Sequence, residues 1–504
     1  MITIAFALLL LALLSSCSNN KEKVLVVIDS TKIDKTSAAN TEMLSTSIVG
    51  DLLFNPILFQ DARLSPHNVL AEDVKVLSGN KVIEVKLRDG IRFHNGREFN
   101  ASDIHNAIDN AMKLNEKNRE LFKGLQVEVL DKTRFRLKSD SPIRDPYILL
   151  NNIGDYESGF SEALVGTGPF RFGRWLDNGL ELVANKDYFE GKPKIDKVVY
   201  IYEDDEKKRL RRLLSGEADL MVCLSPGIVR FLEKDNRFHL NKISGGYYTS
   251  LFFNTGSSLF SDGAVRKAVS MAINRERVID KGLMGAGTPA YAPFKPEIMP
   301  EKFKKNNFEF RPREAAKLLA DAGWRKGNGD ILEKNGIKLR FSFYYNADQA
   351  ELKKVVDIIQ QQLFEAGIEA RSVPIMFYEF MEKNIKAGDY DAYLGANSEY
   401  EENNFTTWHS SFIAKSEAAN FSRYSNREVD LLLEKIRESS DIGEKKKLYL
   451  RIQEALNEDV PAAFLYNTVI YTAASRRFKG AEEFVGNVYS VHKIKDWSIN
   501  EDIK

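Results

Sequence analysis

The 504-residue chain reads as a mixed α/β protein. Short β-branched runs alternate with stretches whose apolar residues recur at helical spacing. Glycine and Asn-Gly pairs separate them as turns. No block of 20–50 residues repeats, which argues against a solenoid or a propeller.

The elements follow in order. Residues 23–28 are apolar and β-branched, a strand pattern. Val82–Leu87 alternates, with Ile83, Val85 and Leu87 on one face, and Arg88-Asp89-Gly90 and Asn95-Gly96 turn the chain. Asn100 caps a helix carrying Ile104, Ile108, Ala111 and Met112, and Asp103 stands where the helix dipole favours an anion. Residues 127–130 and the pair Phe135 and Leu137 suggest strands, and the loop 165–169 leads into another around Phe172. Lys197–Tyr202 is a strand, followed by a helix over 205–214 that Gly216 stops. A strand is expected over 247–254 and a helix over 264–279, then a helix from Pro312 to a stop at Gly323. Residues 339–345 alternate as a strand. Leu352, Val355, Val356, Ile359 and Leu363 line one face of a helix ended by Gly367, with a strand over 368–373. Helices over 428–439 and 444–457 and a strand over 462–471 complete the pattern.

Composition narrows the function. Apolar residues make up 43% and charged residues 29%, as in a globular protein with a large core. Lysine plus arginine equals aspartate plus glutamate, 72 each, and a nucleic-acid binder needs a basic excess to neutralise phosphates. Residues 2–14 are an apolar stretch closed by Ser15-Ser16-Cys17, too short to span a membrane. This leader resembles a bacterial lipoprotein signal, which implies lipid on Cys17, a signal peptide over 1–16 and a polar tether over 17–23. With Cys17 acylated, Cys223 has no partner, and it reads as a small buried hydrophobe.

Catalytic motifs are absent. The chain has no His-Glu-x-x-His, no Gly-x-Ser-x-Gly and no P-loop. Gly166-Thr167-Gly168 lacks the third glycine of a dinucleotide fingerprint. The six histidines are scattered, with no short metal-ligand spacing. No catalytic residue, cofactor or metal is expected.

Several segments resemble a family. Leu87-Arg88-Asp89-Gly90-Ile91-Arg92-Phe93-His94-Asn95-Gly96, the Gly166–Phe170 turn (numbers 166–170), Ser215-Gly216-Glu217-Ala218-Asp219, Phe253-Asn254-Thr255, and Val265-Arg266-Lys267-Ala268 with Ala272-Ile273-Asn274-Arg275 are similar to segments of extracytoplasmic oligopeptide-, dipeptide- and nickel-binding proteins, solute-binding protein family 5. Residues 420–431 are a further match, and the fragments run in the family's order over most of the chain. The resemblance implies a periplasmic-binding-protein-like clamshell of class II. Lobe I would comprise 24–45, 166–250 and 485–504, an extra domain 46–165, and lobe II 251–484. It further implies a lipid-anchored, extracytoplasmic monomer in the periplasmic space, which delivers a peptide or other small solute to an ABC permease and its ATPase. The alternatives are a sensing or scaffold lipoprotein, or a binder of a sugar or nickel complex.

The ligand region shows a departure. Peptide-binding relatives hold the ligand's α-ammonium with an aspartate, and here that position falls on Asn397 or Ser398. Either Glu399, Glu401 or Glu402 supplies the carboxylate from a shifted loop, or the ligand has no ammonium there. Tyr400 and Trp408 are candidate apolar walls, and Tyr247, Tyr248 and Asn254 candidate contacts at the crossing between lobes.

Overall fold

Strands from the whole length of the chain meet in one large sheet. Its order is Glu369–Ile375, Arg340–Asn346, Ala392–Ser398, Phe238–Phe253, Ala462–Ser475, Leu220–Met221, Val24–Asp29, Lys197–Tyr202, Gly179–Ala184 and Phe170–Leu176. The computed structural model describes residues 22–33, 44–61, 63–114, 116–143, 145–154, 164–300, 309–349, 352–399, 401–415, 420–484 and 488–501. The leader, Cys17 and Tyr400 lie outside the described residues.

Two strands in the middle are long, with 16 and 14 residues. Phe238 to Ser244 pairs with Ser475 to Val469 in lobe I, and Tyr248 to Phe252 pairs with Asn467 to Ala462 in lobe II. The register slips between Ser244 and Tyr248. Gly246 there has φ 73°, and a Cβ on Gly245 would stand 2.3 Å from Thr468 Oγ1. A glycine bulge with close backbone approach bends both strands at one point. The expected strand over 247–254 is therefore the second half of a longer one, because two glycines that look like a stop in sequence are a bulge inside it. These paired strands are the hinge between the lobes.

Three cores follow. Lobe II packs around Phe252, Phe341, Val356, Trp408 and Ile452. Lobe I packs around Leu25, Phe170, Leu182, Val198 and Trp497, with Leu213, Met221 and Val229 on the other face of its sheet. The extra domain packs Ile83, Val85, Ile104, Phe135 and Leu149 behind a four-stranded sheet. Packing shifts two expected boundaries. Ile48, Leu52 and Phe54 join the lobe I core rather than the extra domain, and so do Phe478, Ala481 and Phe484 rather than lobe II.

Local signals explain most elements. Asp205 accepts from the N–H groups of Lys207 and Lys208, and Gly216 closes that helix at φ 80°. The helix expected over 264–279 breaks after Gly263–Ala272. Ile273 is extended, and the Asn274 side chain accepts from Arg277 N to start a new turn. The buried Arg275 guanidinium takes the carbonyls of Ile273 and Phe464 at the break. Gly179–Ala184 is a strand that the sequence pattern had not marked.

Two of the family-like segments dock on each other. His94 N donates to Gly166 O at 2.8 Å, Gly166 N donates to His94 Nδ1 at 3.2 Å, and His94 Nε2 lies 3.1 Å from Gly168 O. Because Nδ1 accepts, Nε2 carries the proton and donates. Burial pushes the His94 pKa down to about 4, so the ring is a neutral clamp between the extra domain and lobe I. Cys223 is only half-buried and adopts φ 55°, so it is not the simple core residue expected, and burial raises its thiol to about 12.

Candidate functional site

In lobe II the parallel strands Arg340–Asn346, Glu369–Ile375 and Ala392–Ser398 point the same way, and the last runs on past the other two to Ser398, which pairs with Tyr247. In lobe I, Val24–Asp29, Lys197–Tyr202 and Leu220–Met221 are parallel to one another. Leu220–Met221 runs antiparallel to Ala462–Ser475 and so heads toward the hinge. Both sets of carboxyl ends converge on the crossing, the place where open α/β sheets bind ligands.

Tyr247 stands at that crossing with 50% of its surface exposed, and Thr468 Oγ1 donates to its carbonyl at 3.1 Å. Beyond it, Met376, Phe377 and Tyr378 follow the end of Glu369–Ile375, and Tyr378 is 78% exposed. Sequence reasoning passed over these three. Their signal was a run of large apolar residues directly after a strand.

Asn397, Tyr248 and Asn467 form a row across three strands. Asn397 Oδ1 accepts from Ser398 N at 2.8 Å, and its amide donates to the Thr407 hydroxyl. Tyr248 is fully buried, edge-on to Phe464, and its hydroxyl faces Trp408 and Asn397 without a bond of hydrogen-bonding geometry to either. Ser398 is buried.

Glu399 follows, its N–H donating to Gly246 O at 2.9 Å across the hinge. The residue is 6% exposed, and its Oε1 has no hydrogen-bond partner among the described residues. Burial pushes the carboxyl up to about 7; Glu297 adds to this and Lys295 opposes it. Asn404 Nδ2 donates to the Glu399 carbonyl at 3.1 Å, while Asn404 Oδ1, Asn467 Oδ1 and Trp408 Nε1 are also buried without partners among the described residues. Buried polar atoms are rarely left so, and here five gather beside the hinge.

The remaining candidates behave differently. Glu401 is engaged: its Oε2 lies 2.8 Å from Lys445 Nζ and accepts from Tyr449 OH at 3.0 Å. Burial nevertheless holds its carboxyl at about 7. The Glu402 side chain lies outside the described residues. Trp408 is not a cleft wall in this structure; it is fully buried between Phe252 and Phe464 because the helix Glu401–Trp408 turns it into the lobe II core. Asn254 is also displaced from the crossing. It ends the strand that Tyr247 enters, seven residues on and thus about 23 Å away, and its amide donates to Gly388 O and Tyr390 O at 3.1 and 2.7 Å. It ties down a loop at the far edge of lobe II.

The arrangement offers one exposed aromatic ring, an apolar run and one buried carboxylate with an open oxygen. Such a set can recognise a solute carrying a positive charge beside apolar groups.

Comparison with known proteins gives a consistent picture. A family model described as bacterial extracellular solute-binding proteins, family 5 Middle, matches residues 65–413. Oligopeptide-binding protein AppA of Bacillus subtilis (strain 168) is 29% identical over 469 residues, covering 88% of this chain and 86% of AppA. The structure of AppA from Bacillus subtilis in complex with a nonapeptide aligns with 96% of this chain and 100% of its own, at 25% identity and TM-score 0.64. The nickel ABC transporter structure from Bacillus halodurans shares the fold at TM-score 0.81 and 21% identity, over 93% of this chain and 98% of that one.

Proposed function

This chain belongs to the bacterial extracellular solute-binding proteins of family 5, and on that premise we propose that it captures a peptide between its lobes and hands it to the permease of an ABC-type importer. It acts by binding and release, not by catalysis. The observation that carries the reading is the crossing itself: carboxyl ends of both lobes' strands converge on an exposed Tyr247 and a buried, open-sided Glu399. Glu399 takes the peptide's α-ammonium in place of the aspartate whose position falls here on Asn397 or Ser398, and Tyr247 with the run from Met376 to Tyr378 covers apolar side chains. AppA, an oligopeptide-binding protein, supports the peptide class. The protein works as an extracytoplasmic monomer, anchored to the membrane by lipid on Cys17.

Native mass spectrometry of the protein as purified tests this. A ladder of masses released as peptides on denaturation is expected. A single sugar or metal complex instead, with no heat on titrating mixed peptides, rejects the peptide class. Tyr247→Ala should weaken peptide binding about tenfold while leaving the melting temperature nearly unchanged, because half of the side chain is already in water. Calorimetry and thermal melting read the two effects separately.

A further inference from the structure

The extra domain is rooted on lobe I. His94 clamps Gly166 and Gly168, Asn55 Nδ2 donates to Thr167 Oγ1 at 2.8 Å, and the Phe59 ring meets His492 edge-on. Yet its other end touches lobe II. Lys445 Nζ, on the helix Ile442–Asp459, lies 2.8 Å from Glu401 Oε2 and 3.5 Å from Asp145 Oδ2, and these side chains are 6, 12 and 13% exposed. Asp145 belongs to the extra domain, where its Oδ1 caps the helix Pro146–Asn151. Asn80, in a left-handed turn at φ 63°, donates to Glu438 O at 2.6 Å. Leu64 packs against the lobe II core.

Asn80 and Asp145 therefore meet lobe II at the corner between the helices Arg427–Glu438 and Ile442–Asp459. The two lobes are joined through the paired strands at the Gly245-Gly246 bulge. Rotation there that parts lobe II from lobe I with its extra domain must break these contacts, although they lie outside the row of side chains at the crossing.

We propose that the extra domain is a third jaw, latched to lobe II by the buried Asp145–Lys445–Glu401 bridge, and that this latch sets how often the clamshell rests closed before any solute arrives. One lysine of lobe II serves a carboxylate of its own lobe and one of the extra domain, so its bond to Asp145 forms only when the jaws meet. Tyr449 OH, 3.0 Å from Glu401 Oε2, holds the lobe II carboxylate ready for it. Removing the lysine leaves Asp145 and Glu401 facing each other unpaired in the closed state, while in the open state water solvates Asp145, and removing the Asp145 charge takes away the ionic contact between the jaws. The latch rests on the clamshell fold, not on the identity of the solute.

The test uses the full chain, unfolded in denaturant and refolded to strip bound solute, with Cys17→Ser and Cys223→Ser and nitroxide labels introduced through Lys123→Cys and Glu458→Cys, both exposed positions. Pulsed electron resonance reads the distance between jaws. Asp145→Asn keeps the helix cap but removes the charge, and Lys445→Met removes the shared cation. Each should raise the open-to-closed ratio about tenfold, and the two together should do no more than either alone. The Glu401→Gln/Lys445→Met pair leaves no unmatched lobe II charge, and it should open the jaws even if Lys445→Met alone folds poorly. Distance distributions that match the parent for Asp145→Asn and for the pair, or effects of Asp145→Asn and Lys445→Met that simply add, overturn the latch. Because no ligand enters the experiment, a wrong solute class leaves this result unchanged.

Discussion

Glu399→Gln is expected to stabilise the solute-free protein at pH 8 and to abolish its preference for a free peptide amine. The sign follows from the burial of the carboxyl. Its pKa is raised from 4.5 to about 7 in the folded protein. A raised carboxyl carries no penalty below pH 4.5, where it is protonated in both the folded and unfolded chains. The penalty grows as pH rises and is complete above pH 7. At 1.36 kcal/mol per pH unit, a gain of about 3 kcal/mol for the Gln variant is expected at pH 8, fading toward zero near pH 4.5. Denaturant melts at the two pH values measure it. The same variant should bind peptides at least about tenfold more weakly, since a neutral amide oxygen accepts from an ammonium without the charge of a carboxylate, and N-acetylated peptides should no longer be disfavoured. A stability gain equal at both pH values would mean that packing, not charge, is responsible. Unchanged peptide affinity would remove Glu399 from the site.

Gly168→Ala should be strongly destabilising. Its Cβ would stand 2.4 Å from Leu52 O and 2.5 Å from Leu53 C, both backbone atoms that cannot swing aside. Gly168 N also donates to Leu53 O at 2.9 Å, so the two segments cannot separate without losing that bond. A loss of about 3 kcal/mol is expected from such overpacking, read as a lower melting temperature. Gly329→Ala is the control, because nothing lies within 4 Å of its added carbon and its φ is not left-handed. Equal melting temperatures for the two variants would show that the contact relaxes at little expense.

These outcomes mark how far the chain could be read directly. Strands such as Val82–Leu87 and Lys197–Tyr202 and the helix Glu206–Ser215 were legible because alternation, an Asp cap and a stop glycine act within a few residues. Even the break at Ile273 had a local cause in Asn274, though the apolar face hid it. The hinge was not legible. Ser244-Gly245-Gly246 looks like the end of a strand, and only the pairing with Val469 and Asn467 on a strand more than 200 residues away makes it a bulge.

The site divides in the same way. Glu399 and Glu401 were equivalent in the sequence, two carboxylates two positions apart with either able to meet a cation. The fold separated them by placing Lys445 and Tyr449 against Glu401 and leaving Glu399 Oε1 unpaired. Trp408 and Asn254 were likewise reassigned by burial and by position along one strand. The sequence by itself determined the class of the fold, the order of its elements and the family, because propensity, periodicity and motif order are local properties of the chain. Only the tertiary structure decided which carboxylate is free and where the jaws touch. Desolvation and charge pairing depend on neighbours such as Asp145 and Lys445, 300 residues apart, which no window of sequence brings together.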